Sequence, residues 1–160
     1  MLNILLNLLI ITPAAGFAAS LLAPAKKESL ISGIAFMTVA THLGVFLVFS
    51  AIWVWKDFPL VDLREFAIFQ TSGYEFFIDF SFDKITATYV FVGATLTFLV
   101  TLYSRVYLHN EKGFKRFFNN TLFFYFGYNI VVLAGNFETL FIGWEILGVS
   151  SFLLIAFYRD

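Results

Sequence analysis

The chain has 160 residues, 60% of them hydrophobic and only 13% charged, with a net charge of −1 and no cysteine. Soluble domains carry about a quarter charged residues, so an ordinary soluble domain is excluded; the net charge says nothing about nucleic acid, and no nucleic-acid partner is expected. The missing cysteines exclude disulfides, thiolate metal centres and iron–sulfur ligation.

The 23 phenylalanines, seven tyrosines and three tryptophans sit in or beside continuous apolar stretches. Continuity predicts membrane helices, whereas an outer-membrane barrel would alternate residue by residue. Leu2 to about Ala23 reads as the first span, with a kink expected where Pro13 precedes Ala14, Ala15 and Gly16. No Lys or Arg precedes it, so it lacks the basic start of a secretory signal and reads as a retained helix with its N-terminus outside. Ala25-Lys26-Lys27-Glu28-Ser29 forms a polar turn, and the second span runs from about Leu30 to Trp55 with Thr38, Thr41 and His42 near its centre. Trp53 and Trp55 read as an interfacial anchor.

Between Lys56 and Asp83 the charges return. Phe76, Ile78, Phe80 and Phe82 alternate with Asp79, Ser81 and Asp83, the period-two pattern of a half-buried strand, and a short β-hairpin turning at Thr71-Ser72-Gly73 is predicted on the membrane surface. A third span follows from about Ile85 to Leu108; its threonines, with Gly93 and Ala94, favour close helix contact and predict a buried position. After the basic loop Arg105 to Arg116, a fourth span covers about Phe117 to Gly135 and contains Tyr128 and Asn129. Asn136-Phe137-Glu138 turns tightly into the fifth, in which Glu138 favours the helix dipole and reads as a cap.

The fold class expected is an all-α polytopic membrane protein with about five transmembrane helices and a small extracytoplasmic β-hairpin. Residues 1–55 hold the first two helices, 56–84 the hairpin loop, and 85–160 the third to fifth helices. Placing Lys26, Lys27, Arg105, Lys112, Lys115, Arg116 and Arg159 inside leaves Lys56, Arg64 and Lys84 outside, seven basic residues against three. The positive-inside rule therefore predicts a multi-pass protein of the inner membrane with its N-terminus outside and residue 160 inside.

One carboxylate, Glu145, lies well inside the last apolar run. An acidic residue at the middle of a spanning helix costs about 2.5–3.5 kcal/mol on insertion scales, so it requires a partner, water or a proton. Bonded to Ser150, Ser151 or a neighbouring helix it would be structural; with its affinity tuned by a nearby cation it would load and release a proton. Gly143, Gly148 and Ser150 beside it permit close packing or a file of water. His42 suits a proton relay, but a neutral imidazole bonded to a backbone carbonyl or a threonine is the more economical reading. No phosphate loop, metal cluster or nucleophile–base pair can be assembled, so no catalytic residue, metal or cofactor is expected in this chain.

Glu111-Lys112-Gly113-Phe114-Lys115-Arg116-Phe117-Phe118, Asn136, Gly143-Trp144-Glu145, Gly148, Ser151-Phe152-Leu153-Leu154-Ile155 and Phe157-Tyr158 resemble the start of the antiporter-like proton-channel subunits. That family includes subunit L (subunit 5) of NADH:quinone oxidoreductase, or complex I, the large subunits of Mrp cation/proton antiporters and the membrane subunit of inorganic-carbon uptake complexes. The resemblance implies a long subunit with inverted five-helix repeats, in which a fifth-helix glutamate pairs with a lysine on a later broken helix to move protons. Glu145 matches that glutamate, with Gly143, Trp144, Gly148 and Ser151 as supporting residues, while no lysine here matches the second partner. A fragment of a longer subunit is therefore expected. The implied partners are other membrane subunits, the remainder of the subunit or another chain supplying the lysine, and the lipid bilayer. The alternative from another class is a non-conducting membrane scaffold.

Overall fold

The computed structural model describes residues 1–71 and 74–157. Ser72-Gly73, read as the hairpin turn, and Tyr158-Arg159-Asp160, with the Arg159 assigned to the inner side, lie outside the described residues. The order of elements is α1 (Leu2–Leu22), α2 (Glu28–Trp55), β1 (Val61–Thr71), β2 (Tyr74–Phe82), α3 (Lys84–Tyr107), α4 (Phe114–Leu133) and α5 (Phe137–Ile155). Among the described residues α1, α2, α3 and α5 are long and apolar enough to cross a membrane by length and composition; α4, with its lysine, arginine and asparagines, is not among them.

Local chemistry explains the helix ends. α1 runs unbroken through Pro13, and its last turn is closed from outside by Lys115, whose Nζ donates to the carbonyls of Leu21 (2.9 Å) and Ala23 (2.7 Å). These are orphan carbonyls at a helix C-terminus, where a cation also meets the negative end of the dipole. Gly113, at φ 99°, makes the left-handed step that opens α4, a conformation with a steric cost for side chains other than glycine. The same end of the molecule joins Glu28, in the first turn of α2, to His109 Nδ1 at 2.9 Å, and Arg116 to the Phe157 carbonyl. The described basic residues thus fall into two groups: Lys26, Lys27, Arg105, Lys112, Lys115 and Arg116 at this end, Lys56 and Lys84 at the hairpin end.

Asp83 follows the alternating run but does not belong to the strand: its carboxylate accepts the Thr86 backbone N–H at 2.8 Å and caps α3. That bond, foremost among several, holds the Asp83 carboxyl below its ordinary value. A lowered folded-state value contributes stability present above the unfolded value and lost as pH falls through the folded one. Asp83→Ala is expected to cost about 1 kcal/mol at neutral pH. Asp83→Asn keeps the cap and removes its acid dependence, which thermal melting at neutral and acid pH checks.

The hairpin is antiparallel, pairing Val61 with Phe82 and Thr71 with Tyr74, with irregularities between Arg64 and Phe66 and between Ala67 and Phe69. Its base is sunk into the bundle: Phe82 is fully buried, with ring centroids 4.4 Å from Phe49 and 5.1 Å from Trp53. Trp53 is buried and donates from Nε1 to the Pro59 carbonyl at 2.7 Å, while Trp55 is exposed. The expected anchor pair is therefore divided, because residues two apart on a helix diverge by about 200°. Trp53 fastens the hairpin and only Trp55 faces outward.

The expectation of a buried third span is also corrected. α3 buries one stripe that includes Val90, Ala94, Thr101 and Ser104, and presents Phe91, Leu96, Leu99, Tyr103 and Val106 outward. The interior helix is α4, which buries Phe118, Asn120, Thr121, Leu122, Tyr125 and Asn129. Amides inside an apolar bundle need partners, and only a central helix has neighbours on all sides to supply them.

Candidate functional site

The helix that carries Glu145 is fixed at its start by Asn136. The Asn136 Oδ1 accepts the Thr139 N–H at 2.9 Å, the position a helix N-cap occupies, and its Nδ2 donates to the Phe77 carbonyl of β2 at 2.8 Å. The cap is thus Asn136 and not Glu138, which contributes charge in the first turn. The buried Thr139 hydroxyl accepts the Asp79 N–H at 2.9 Å, and Gly135 N–H donates to the Asp79 carbonyl at 2.8 Å. The outer edge of β2 is closed by the α4–α5 turn.

The two roles of Asn136 can be separated. Asn136→Asp keeps the acceptor and loses the donor, whereas Asn136→Ala loses both. The alanine variant is expected to lose about 0.5–2 kcal/mol for the cap and about 1–3 kcal/mol for the unmet carbonyl, with the aspartate variant between it and the parent, in thermal melting.

Close contact with α4 sets how α5 is turned. A Cβ on Gly127 would lie 2.6 Å from Ile146 Cγ2, and one on Gly143 would lie 2.8 Å from both the Val131 backbone nitrogen and its Cγ2. Both distances are inside van der Waals contact, so the two backbones approach as closely as glycine allows. Further along, Asn120 Nδ2 donates to the Leu153 carbonyl at 3.3 Å.

With Gly143 and Ile146 turned to α4, Glu145 is turned away. It is exposed on the outward face of α5, on the side that also presents Phe141, Trp144, Val149 and Phe152, one residue before the midpoint of Phe137–Ile155. Gly148 lies on the same side with open space where a side chain would be, leaving a notch one turn from the carboxylate. Ser150 Oγ donates to the Leu147 carbonyl of its own helix at 3.1 Å. Ser151 is half-buried, and Trp144, 67% exposed, packs outward.

Among the described residues no lysine lies on this face. Lys26, Lys27, Lys112 and Lys115 are at one end of the bundle, with Lys115 engaged on α1, and Lys56 and Lys84 are at the other, the latter over the Phe58 ring at 4.8 Å. At the mid-depth of a bilayer an apolar helix face with one carboxylate is compatible with protein or water against it and costly against acyl chains. The arrangement leaves the carboxylate on a face that α1 to α4 do not cover.

His42 is elsewhere, fully buried where α1, α2 and α4 meet, with Nδ1 2.6 Å from the Tyr125 hydroxyl. The structure does not bring it together with Glu145, which faces out of the bundle. Tyr125 was not among the candidates from sequence; the signal was Tyr125 and Asn129 one turn apart in an otherwise aromatic helix, joined by the Asn129 Nδ2 bond to the Tyr125 carbonyl at 2.7 Å.

Residues 69–118 match the family described as NADH-ubiquinone oxidoreductase (complex I), chain 5 N-terminus. NADH-quinone oxidoreductase subunit L of Buchnera aphidicola is 30% identical over 139 residues, covering 81% of this chain and 23% of that protein. The subunit L of Neisseria meningitidis is 38% identical over 88 residues, 54% of this chain and 13% of that one. NADH-ubiquinone oxidoreductase chain 5 of Schizophyllum commune is 39% identical over 80 residues, 50% and 12% of the two chains. Among solved structures, a chain of the membrane-bound sulfane sulfur reductase, an archaeal respiratory membrane complex, shares the fold with a TM-score of 0.71 at 18% identity, over 95% of this chain and 23% of that one. The chain spans less than a quarter of the length of these relatives.

Proposed function

The chain resembles the N-terminal part of the antiporter-like subunits of complex I, and on that premise we propose that it forms the opening part of a multi-pass, proton-translocating membrane subunit in which Glu145 takes part in proton transfer. One observation carries this reading: a carboxylate at the middle of an apolar helix stands on the face that α1 to α4 leave open, beside the Gly148 notch. Insertion of such a group is costly unless a cation, a hydrogen-bond partner or water meets it, and a cation that approaches and withdraws would change its proton affinity. In this reading a lysine from the remainder of the subunit, or from another chain, lies against α5.

In this reading α4 crosses the membrane as well. Its polar side chains find partners inside the bundle: Asn120 reaches the Leu153 carbonyl of α5, the Tyr128 hydroxyl donates to the Tyr89 carbonyl of α3 at 2.7 Å, and Asn129 donates to the Tyr125 carbonyl within α4 itself. The end holding Lys112, Lys115 and Arg116 faces the inner side and the hairpin faces outward, as the positive-inside rule requires. The relatives named as subunits of NADH-quinone oxidoreductase favour other membrane subunits as partners. Replacing Glu145 by glutamine in the assembled complex, with proton flux and assembly measured separately, tests the proposal.

A further inference from the structure

At the centre of the bundle, the proposed function leaves two buried groups unused. His42 Nε2 is enclosed and has no hydrogen-bond partner among the described residues, although Nδ1 is held by the Tyr125 hydroxyl. Leu9, Pro13 and Gly16 form a buried stripe of α1, and a Cβ on Gly16 would lie 2.2 Å from the Thr38 side chain, one turn before His42 on α2, so this stripe packs on the His42 face of α2. Leu9 stands four residues before Pro13, which lies buried inside α1. In an α-helix the N–H of residue i donates to the carbonyl of residue i−4, and proline has no N–H. Pro13 therefore leaves the Leu9 carbonyl without its helical donor, on the side of α1 where His42 lies.

We propose that Pro13 is a positioning residue: by withdrawing its N–H it offers the Leu9 carbonyl to His42, whose Nε2–H donates to it while Nδ1 accepts from the Tyr125 hydroxyl. The chemistry of the three protonation forms supports this assignment. With the proton on Nδ1 instead, Nε2 would be an acceptor facing a carbonyl acceptor, leaving both unmet at about 1–3 kcal/mol each. The doubly protonated ring would be a buried cation, and the charged groups of α1, α2 and α4, namely Glu28, Lys115 and Arg116, all lie at the bundle end, while the titratable group bonded to the ring is Tyr125. The form with Nε2–H alone satisfies every donor and acceptor present.

The result is a line of hydrogen bonds from α4 through α2 to α1. It fixes how α4 is turned about its axis, and α4 in turn seats α5 through Gly127 and Gly143. That last consequence, the placing of Glu145, rests on the proposed function; the hydrogen bonds do not.

The test is nitrogen NMR of the full-length protein, labelled in its histidine rings and reconstituted in lipid bilayers, with the His42 signals identified as those lost in His42→Gln. The expected result is a neutral ring protonated at Nε2, with a hydrogen-bonded Nδ1, unchanged by Glu145→Gln. Tyr125→Phe is expected to shift the Nδ1 resonance toward that of a free acceptor. Pro13→Ala returns an N–H to Leu9 and is expected to shift Nε2 while Nδ1 stays. A proton on Nδ1, an imidazolium at neutral pH, or an Nε2 signal indifferent to Pro13→Ala would overturn the proposal. Should Pro13→Ala not fold, a through-space correlation between the Leu9 carbonyl carbon and His42 Nε2 in the unsubstituted protein decides the matter: its presence supports the bond and its absence refutes it. No transport is measured, so failure here is distinct from failure of the Glu145 reading.

Discussion

Glu145→Gln is expected to reduce proton flux by about 10²-fold or more, with the amount of assembled complex unchanged. A side chain that passes a proton contributes on the order of 10²–10⁴ in rate, and an amide of almost the same shape cannot take its place. Assembly is expected to survive because Glu145 is exposed from the bundle and lies outside the α4–α5 contact made by Gly143 and Ile146. Removing a charge from the middle of an apolar face also lowers the cost of inserting α5. Glu145→Asp keeps the charge but retracts it by one methylene, so partial flux is expected. A scaffold that does not conduct predicts the opposite pattern, with flux in the complex insensitive to Glu145→Gln. Flux in proteoliposomes, normalised to assembled complex, separates the two.

Gly143→Leu is expected to prevent α5 from seating and to deplete the assembled subunit. The Cβ that any larger residue brings would lie 2.8 Å from the Val131 backbone nitrogen, which cannot rotate away as the Val131 side chain can. Overpacking of this kind costs about 1–3 kcal/mol even for small additions, so Gly143→Ala is expected to destabilise measurably and leucine to exceed that. Gly148, five residues on, meets nothing within this chain, and Gly148→Ala is expected to leave the α4–α5 contact as it is. Comparing assembled complex for the three variants by native electrophoresis checks the order. Equal tolerance of leucine at 143 and alanine at 148 would show that α4 and α5 are not in this contact.

Elements with a strong local pattern were legible from sequence. The alternation of Phe76, Ile78, Phe80 and Phe82 marks a strand because side chains on a pleated backbone point to opposite faces in turn, and β2 covers those residues. The helices were legible because an apolar run of helix-forming residues needs no tertiary information, and their ends fall within a few residues of those expected for the spans. What the helices face was less legible. The threonines of α3 suggested an interior helix, yet Thr88 returns its hydroxyl to its own Lys84 carbonyl and needs no neighbour. The polar residues of α4 look poorly suited to a membrane until Asn120, Tyr125 and Tyr128 are matched to groups on other helices and Asn129 to a carbonyl of its own. Trp53 and Trp55 looked equivalent because their spacing along the chain does not show which side of α2 the hairpin covers.

Two features of the site had no local signature. The position of Glu145 along its helix could be read directly, but its outward direction follows from Gly143 and Ile146 being turned to α4, a fact about packing between helices. Lys115 resembled a loop charge until the carbonyls of Leu21 and Ala23, more than ninety residues earlier, placed it at the end of α1.

The central claim is that the open face of α5 is covered in the assembled protein by a partner for its carboxylate. The most direct measurement is a structure of the whole complex in lipid, read at Glu145. A lysine Nζ within about 4–6 Å of the carboxylate, inside a protein-lined and hydrated interior, is the predicted result. A Glu145 side chain directed into acyl chains, with no basic group or water against it, would contradict the account.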